Sequence, residues 1–346
     1  MKASYYDGTK LLSMKDINGQ TPEIFMCTSN RTAGKTTWYN RYVHKRFKLY
    51  KEKYMLLYRF NYELDEVADK FFKDIQGLFF KDDTLTTKRM GAGIAHQIFC
   101  NDVPCGYAVT LNSADAIKKN SHLFSDTTRM LFDEFQSETN HYCSDEVRKF
   151  QSIHTSVARG QGKQVRYVPV FMISNPVTLI NPYYTSMGIS ARLQENTKYL
   201  KGDGFVLEQG YNESASLAQS QSGFNRAFAN DDYQKYSQQA VYLNDNKAFI
   251  EKPIGIGRYL ATIRYMNKSY AIREYADLGI IYCDDHADES YPLKIATTID
   301  DHNINWVMLK KHDFFISNLR YFFERGCFRF KDLQSKTALM ATISYQ

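Results

Sequence analysis

The segment from Ser29 to Thr37, SNRTAGKTT, carries residue types that could grip phosphate groups. It nearly matches the pattern G-x-x-x-x-G-K-[ST], in which backbone N–H groups and the start of the next helix form a concave anion site. Lys35 would reach the outer phosphates of a nucleotide, and the Thr36 hydroxyl could ligate Mg²⁺. Ser29 stands where glycine is usual, so we expect an altered turn at the loop entrance, because glycine permits backbone conformations that serine avoids.

The residues around this loop have the patterns that the motif requires. Glu23 to Thr28 (EIFMCT) predicts a short buried strand, and Thr37 to Tyr50 has helical periodicity without proline or glycine. An ordinary polar loop that happens to contain GKT is the alternative. We predict that ATP is contacted along the whole loop, by Ser29, Asn30, Arg31, Thr32, Ala33, Gly34, Lys35, Thr36 and Thr37.

A second motif lies at Arg129 to Phe135, RMLFDEF, where a short apolar run ends in two adjacent carboxylates. The carboxyl end of a parallel strand is where open α/β sheets bind ligands. Asp133 would hold Mg²⁺, and Glu134 would polarise an attacking water as the catalytic base. The two motifs in this order predict an ATPase core, with Lys35, Glu134 and a bound Mg·ATP at its centre.

Strand and helix patterns alternate in the first half of the chain, which predicts an α/β doubly wound, mostly parallel sheet. A Ser/Gln/Asn-rich stretch from Asn212 to Gln239 then suggests a lid or helical linker. Short strand patterns return after residue 258 and are followed by a predicted amphipathic helix from Trp306 to Phe323. We predict an ATPase domain over residues 1–208, a lid or linker over 209–245 and a smaller α+β domain over 246–346.

The whole-chain composition is that of a folded protein. The 346 residues are 43% hydrophobic and 24% charged, with a net charge of +6 that is compatible with a polyanionic partner. The six cysteines include no C-x-x-C pair and no histidine at zinc-site spacing, so we expect reduced thiols without a metal role. The N-terminus lacks an apolar signal core, and no apolar run is long enough to span a membrane, which predicts an intracellular protein without membrane contact.

Five segments of the sequence together resemble one protein family. They are the loop ending in AGKT, LFDEF, ISNPVTLINPYY at 173–184, AFIEK at 248–252 and GIIYCDDHAD at 279–288. In these segments the chain is similar to the DNA-packaging ATPases (encapsidation proteins) of small short-tailed bacteriophages, which are P-loop ring translocases of the terminase-like type. The Ser/Gln-rich segment shows only loose similarity.

The resemblance implies a motor that uses ATP and Mg²⁺ to move double-stranded DNA into a preformed procapsid. It implies a homo-oligomeric ring, a pentamer, that works in the host cytoplasm while docked transiently on the portal (connector) of the procapsid. Whether a structural RNA or only the portal anchors the ring stays open. The family fold is a P-loop sheet of the additional-strand type joined to a smaller α+β RNase H-like domain that lacks nuclease acids.

Two further site residues follow from the resemblance. Asn175, after the strand neighbouring that of Asp133 and Glu134, would sense the γ-phosphate, with a turn-forming role before Pro176 as the alternative. Arg159, in a glycine-broken basic loop, matches the position of an arginine finger that would act on a neighbouring subunit. Other basic residues could act in trans instead, namely Lys163, Arg166, Lys118 and Lys119.

Three other functions compete with a packaging motor. A helicase or translocase unrelated to capsids would use the same ATP chemistry. A terminase-like nuclease would need several acids at strand ends, and Asp284, Asp285, Asp288 and Glu289 are candidates. The strand around Ile263, however, has Arg and Tyr where a metal-binding aspartate is required, which predicts that cutting is lost. A nucleotide-gated scaffold without motor action is the third alternative.

Overall fold

The computed structural model describes residues 5–64, 71, 75–138, 141–178, 181–190, 192–193, 197–227, 248–310 and 313–343. They form two compact units. The first contains the described residues of Met1–Ser137, Tyr142–Pro176 and Glu195–Val241, and the second those of Glu138–His141, Val177–Gln194 and Tyr242–Gln346. None of the helices in these residues is both long and apolar enough to cross a membrane.

The strands of the first unit belong to one sheet. They are β1 (Ile24–Thr28), β2 (Lys53–Tyr58), β3 (Leu85–Met90), β4 (Ala95–Cys100), β5 (Val103–Thr110), β6 (Thr127–Asp133), β7 (Val170–Ser174), β8 (Tyr199–Gly202) and β9 (Phe205–Gln209). The helices of the chain are α1 (Thr9–Ser13), α2 (Lys35–Tyr50), α3 (Ala114–Lys119), α4 (Glu146–Val157), α5 (Pro182–Ser186), α6 (Glu213–Ser220), α7 (Gly223–Ala227), α8 (Phe314–Glu324) and α9 (Leu333–Ile343).

The strand order of this sheet is β3-β4-β5-β2-β6-β7-β1-β9-β8. The six strands from β5 to β9 are parallel, whereas β3, β4 and β8 are antiparallel at the two sides. Strand β7 lies between β1 and β6, so the predicted additional-strand arrangement is confirmed. Because β1, β6 and β7 are parallel, the residues that follow them all reach the same edge of the sheet.

Burial of α2 against the sheet explains why this segment is helical. Tyr39, Val43 and Phe47 are four residues apart, lie on one face and are almost fully buried. Tyr39 contacts the ring of Phe171 in β7 at 5.7 Å between centroids. The helix therefore starts directly after the loop and packs on β7, beside the strand that carries the other motif.

The antiparallel strands β3, β4 and β8 are absent from the sequence-based prediction. Strand β3, with the sequence LTTKRM, is polar and mostly exposed. An edge strand buries little side-chain area, so its sequence carries a weak strand signal.

The second unit contains a five-stranded sheet with the order β13-β10-β11-β12-β14. Its strands are β10 (Arg258–Tyr265), β11 (Lys268–Tyr275), β12 (Ile280–Asp284), β13 (Lys294–Ala296) and β14 (Phe328–Phe330). Strands β10, β11 and β12 form an antiparallel meander, while β13 and β14 pair in parallel. With α8 and α9 this confirms the predicted α+β character.

The helix predicted from Trp306 to Phe323 is shorter than expected. Helix α8 begins at Phe314, where the Asp313 carboxylate caps it by accepting a hydrogen bond from the Phe315 backbone N–H at 2.8 Å. Trp306 is instead buried in the preceding segment, beneath the guanidinium of Arg264 at 5.4 Å. Tertiary contact thus overrides the local helical pattern at this end.

Candidate active site

The loop from residue 29 to residue 34 leads from β1 into α2 and adopts left-handed backbone at two positions. Thr32 has φ of 60° and Gly34 has φ of 90°. The φ angle of Ser29 is not positive, so its backbone does not need the left-handed conformation that glycine adopts easily. The departure from the usual motif therefore leaves the loop able to form, and the altered turn expected at Ser29 stays a prediction.

Lys35 is buried at the start of α2, with 7% of its surface exposed. Its ammonium donates to Asn175 Oδ1 at 2.7 Å and to the Ser29 carbonyl at 3.3 Å. Burial lowers the pKa of Lys35, and the nearby carboxylate of Asp133 acts in the opposite direction. A cation that burial penalises in this way gains stability from an anion placed in the loop, so the site suits the phosphates of a nucleotide.

Two hard oxygen donors meet beside this lysine. The Thr36 hydroxyl lies 3.5 Å from Asp133 Oδ1, at the end of β6. A hydroxyl and a carboxylate oxygen are donors that Mg²⁺ prefers, and one or two protein ligands suffice because water and phosphate oxygens complete the octahedron. The predicted ligand pair Thr36 and Asp133 therefore fits a magnesium ion bound together with a nucleotide.

Glu134 follows β6 in a left-handed conformation, with φ of 59°. Its backbone N–H donates to Asp133 Oδ1 at 2.9 Å, and its side chain is exposed at the edge of the sheet. Positive φ is uncommon for a residue other than glycine and persists where the surroundings hold it in place. Glu134 lines the same cavity as Thr36 and Asp133.

Sequence reasoning missed the residue that holds this turn. Arg59, just after β2, donates to the carbonyls of Glu134 and Phe135 at 3.2 and 3.0 Å. It also binds both oxygens of Glu146, at 2.8 and 3.0 Å, and the two residues are 7% and 2% exposed. The only signal in the sequence is a charged residue inside the otherwise apolar run YMLLYRF.

We expect replacement of Arg59 by methionine to lower the free energy of unfolding by about 3–5 kcal/mol, because it leaves the Glu146 carboxylate buried without its partner. Denaturant titration measures the change. The matched control is Arg148→Met, which removes an ion pair to Asp145 from a side chain that is 73% exposed. It should cost less than about 0.5 kcal/mol. Equal losses in both variants would contradict the assignment.

The loop is also tied to the segment after β9. The Asn30 side chain donates from Nδ2 to the Asn212 carbonyl at 3.0 Å and accepts at Oδ1 from the Asn212 backbone N–H at 2.9 Å. Gln219 in α6 donates to the Thr32 hydroxyl at 3.0 Å. The described part of the predicted lid or linker is thus two short helices, α6 and α7, of which α6 contacts the phosphate loop. Residues 228–245 of that prediction lie outside the described residues.

The structure does not bring Arg159 to the edge of the sheet at which Lys35, Asp133 and Asn175 lie. Helix α4 starts near the carboxyl end of β6, because Arg59 binds both Glu146 and the Glu134 carbonyl. It ends at Val157, so Arg159 lies just beyond its far end. There Arg166 donates to the carbonyl of Thr127, the first residue of β6, at 3.1 Å. Strand β6 has seven residues, so the two edges are about 20 Å apart at about 3.3 Å per residue. Arg159 therefore lies too far from Lys35 to contact a nucleotide bound in its own chain.

The structure separates the other candidates for action in trans. Arg166 uses its guanidinium to hold the carbonyls of Thr127 and Val157, at 3.1 and 2.7 Å, so it closes the loop and has a structural role. Arg159 is exposed and donates only its Nε to the Thr155 carbonyl among the contacts described. Exposed side chains are also found at Lys163, Lys118 and Lys119.

Comparisons with known proteins match nearly the whole chain to one family. The family model of the podovirus DNA encapsidation protein (Gp16) matches residues 1–343. The DNA packaging protein of Bacillus phage phi29 is 23% identical over 333 residues, which are 95% of this chain and 94% of that protein.

Two solved structures have the same fold. The bacteriophage phi29 genome packaging motor assembly has a TM-score of 0.57 at 22% identity, covering 96% of both chains. The Phi-28 gp11 DNA packaging motor has a TM-score of 0.59 at 16% identity, covering 99% of this chain and 98% of the other. Because the family model spans nearly the whole sequence, the resemblance inferred from the motifs is confirmed: the chain belongs to the podovirus DNA encapsidation protein (Gp16) family.

Proposed function

We propose that this protein is the ATP-driven motor subunit that translocates double-stranded viral DNA into a preformed procapsid. One observation carries the proposal: the buried Lys35, the Thr36–Asp133 pair and Asn175 meet at one edge of a parallel sheet, in a member of a DNA encapsidation family. ATP hydrolysis would take place in the domain over residues 1–208. The segment over 209–245 would act as a lid or linker to the domain over 246–346.

Each residue has a defined task in hydrolysis. The loop N–H groups and Lys35 bind the phosphates and orient the γ-phosphate for in-line attack. Glu134 accepts a proton from the attacking water and holds it in line. Thr36 and Asp133 would hold Mg²⁺, which would neutralise charge that develops on the phosphate oxygens. Arg159 of a neighbouring subunit stabilises the same charge from the other side.

Asn175 is proposed as the sensor of nucleotide state. Its Oδ1 accepts a hydrogen bond from Lys35, and its amide N–H₂ group is a hydrogen-bond donor. A γ-phosphate would compete for Lys35 and for the Asn175 amide at once. The end of β7 therefore changes its contacts when ATP binds and again when phosphate leaves.

We expect Asn175→Ala to lower kcat for ATP hydrolysis by about 10- to 100-fold, the value of one hydrogen bond to a charged group, and to change KM by less than about threefold. Asn175→Asp keeps a partner for Lys35 but adds negative charge beside the phosphates, so KM rises as well. Steady-state kinetics measures kcat and KM separately for the two variants. Asn305→Ala, at an exposed loop position, is the control. An unchanged kcat in Asn175→Ala would contradict the sensor role.

The motor requires partners beyond the chain itself. We propose a homo-oligomeric ring, a pentamer, docked on the portal of the procapsid in the host cytoplasm, with a structural RNA as an open alternative for the anchor. Contacts to DNA are expected mainly at backbone phosphates, since a genome pump must accept every sequence. The net charge of +6 is compatible with such contacts.

A nuclease function is disfavoured by the contacts of the acids after β12. Asp284, fully buried, is bound by the Arg273 guanidinium at 2.5 Å. Lys331 binds both oxygens of Asp285 at 2.6 and 2.8 Å, and this hydrogen bonding lowers the pKa of Asp285. Cations at these positions compete with the two metals that DNA cleavage uses. Mn²⁺-supported plasmid cleavage that is lost in Asp284→Ala would overturn this proposal.

The function is tested by combining ATPase and packaging assays on the full chain. A packaging motor is stimulated by duplex DNA and, with procapsids, makes that DNA resistant to nuclease. Stimulation by single-stranded rather than duplex DNA would favour a helicase. ATP turnover that DNA does not change, without any protected DNA, would favour a nucleotide-gated scaffold.

A further inference from the structure

Three side chains from separate parts of the first unit converge at one buried point. They are His44 in α2, Asp83 in the turn before β3, and Cys100 at the end of β4. One potential ligand atom from each lies within 4.8 Å of the others, and the residues are 0%, 4% and 3% exposed. The expectation that no cysteine binds metal rested on spacing along the chain, which does not detect a cluster assembled by the sheet.

The polar atoms in this cluster are incompletely satisfied. His44 Nε2 and Asp83 Oδ2 are buried and lie 3.5 Å apart, and neither makes a well-aligned hydrogen bond within the described part of the chain. The opposite atom of each group is already engaged: His44 Nδ1 with the Tyr54 hydroxyl at 3.2 Å, and Asp83 Oδ1 with Lys48 at 2.6 Å and Asn101 at 3.0 Å. Buried polar atoms without partners are costly and rare, so two that face each other point to a missing bond.

We propose that His44 Nε2, Asp83 Oδ2 and the Cys100 thiolate bind a divalent transition metal ion of the zinc type. Nitrogen and oxygen ligands of a tetrahedral zinc ion at about 2.0–2.1 Å are about 3.3 Å apart. The observed 3.5 Å is close to that value. A mixed nitrogen, oxygen and sulfur donor set suits zinc and excludes Mg²⁺ and Ca²⁺, which take oxygen.

The protonation states of the three groups agree with this assignment. Burial lowers the pKa of His44 to about 4, so its ring is neutral at pH 7 and can act as a ligand. Burial opposes ionisation of Asp83, but the hydrogen bond from Lys48 helps to lower its pKa overall. Burial raises the pKa of the Cys100 thiol, so metal binding must release its proton. Tyr54 would fix the histidine tautomer by accepting the Nδ1–H.

The site would have a structural role. It would connect helix α2, which begins with Lys35, to the antiparallel strands β3 and β4 at one side of the sheet. No atom of the predicted ATP-binding residues is a ligand of this site. The tests of the metal site are therefore independent of the tests of the proposed motor function.

The first test uses the full chain after removal of metal by a chelator. Titration with Co²⁺ should bind one equivalent and produce a thiolate-to-cobalt charge-transfer absorption, which excess Zn²⁺ then abolishes. Zn²⁺ at about 100 times its Kd should raise Tm by roughly 5 to 10 °C over the metal-free protein. Absence of the charge-transfer band, or a Tm that Zn²⁺ leaves unchanged, would overturn the proposal in favour of a metal-free His44–Asp83 pair.

Variants identify the ligands. Cys100→Ser and His44→Gln should lose both the cobalt absorption and the rise in Tm with Zn²⁺. Cys105→Ser, which changes a fully buried neighbouring thiol that contacts the Tyr54 hydroxyl instead, should retain both. Retention of the cobalt spectrum in Cys100→Ser, or its loss in Cys105→Ser alone, would overturn the ligand set. If a ligand variant does not fold, the spectrum and the Tm of the unaltered protein still decide.

Discussion

Replacement of Glu134 by glutamine should leave ATP binding intact and lower turnover by about 10²- to 10⁴-fold, the contribution of a positioned base. Glutamine keeps the size of the side chain and its position after β6, but it cannot accept a proton from water. Lys35 and the Thr36–Asp133 pair are unchanged, so the phosphates remain bound. Single-turnover hydrolysis and equilibrium binding of a fluorescent ATP analogue measure the two quantities separately.

The matched control is Glu289→Gln, which makes the same chemical change at an exposed residue after β12. It should hydrolyse ATP at the normal rate. Normal turnover in Glu134→Gln would refute the assignment of the base. Loss of binding together with turnover would instead mean that Glu134 helps to hold the nucleotide.

Replacement of Arg159 by alanine should lower turnover by roughly 10³- to 10⁵-fold in the assembled ring, as expected for an arginine finger. The physical reason is its place in the fold: it lies at the amino edge of the parallel sheet, beyond the end of α4, and cannot reach its own Lys35. The isolated subunit should therefore bind ATP normally. ATPase activity at rising protein concentration, with and without DNA, checks this dependence on assembly.

Mixed rings give the decisive measurement for Arg159. A subunit with Arg159→Ala retains its Glu134, and a Glu134→Gln neighbour supplies the missing arginine, so the mixture should recover activity that neither variant has alone. Arg166→Ala is the contrasting variant, because it loses the hydrogen bonds to Thr127 and Val157 and should fail through instability. Lack of complementation would move the finger to Lys163, Lys118 or Lys119.

The local segments of the fold were predictable because each carries its own pattern. The apolar run before Ser29 and the periodicity after Lys35 define strand, loop and helix, and the confirmed β1 and α2 differ from the prediction by one or two residues at their starts. The position of β7 between β1 and β6 was also anticipated, since Asn175 was expected beside the Asp133 strand. These features depend on residues that are close in sequence or on the topology of a known family.

Contacts between distant segments could not be read from the chain. Nothing local pairs Arg59 with Glu146, and burial of that pair decides how Glu134 is turned out of the strand. The polar edge strand β3 was missed for the related reason that its stability comes from pairing with β4. Side-chain periodicity shows that one face of a segment is buried, but it does not show which other segment covers that face.

The sequence by itself determined which phosphate-binding and acidic residues are present and in what order, because those types are constrained by the chemistry of ATP. Only the tertiary structure decided which of them meet. It brought the Lys35 ammonium into contact with the Asn175 side chain. It placed Arg159 at the edge of the sheet opposite to Lys35. It also assembled His44, Asp83 and Cys100 into one buried cluster. The reason is physical: parallel strands bring distant residues to a common edge, and the register of that pairing is set by the packed core as a whole.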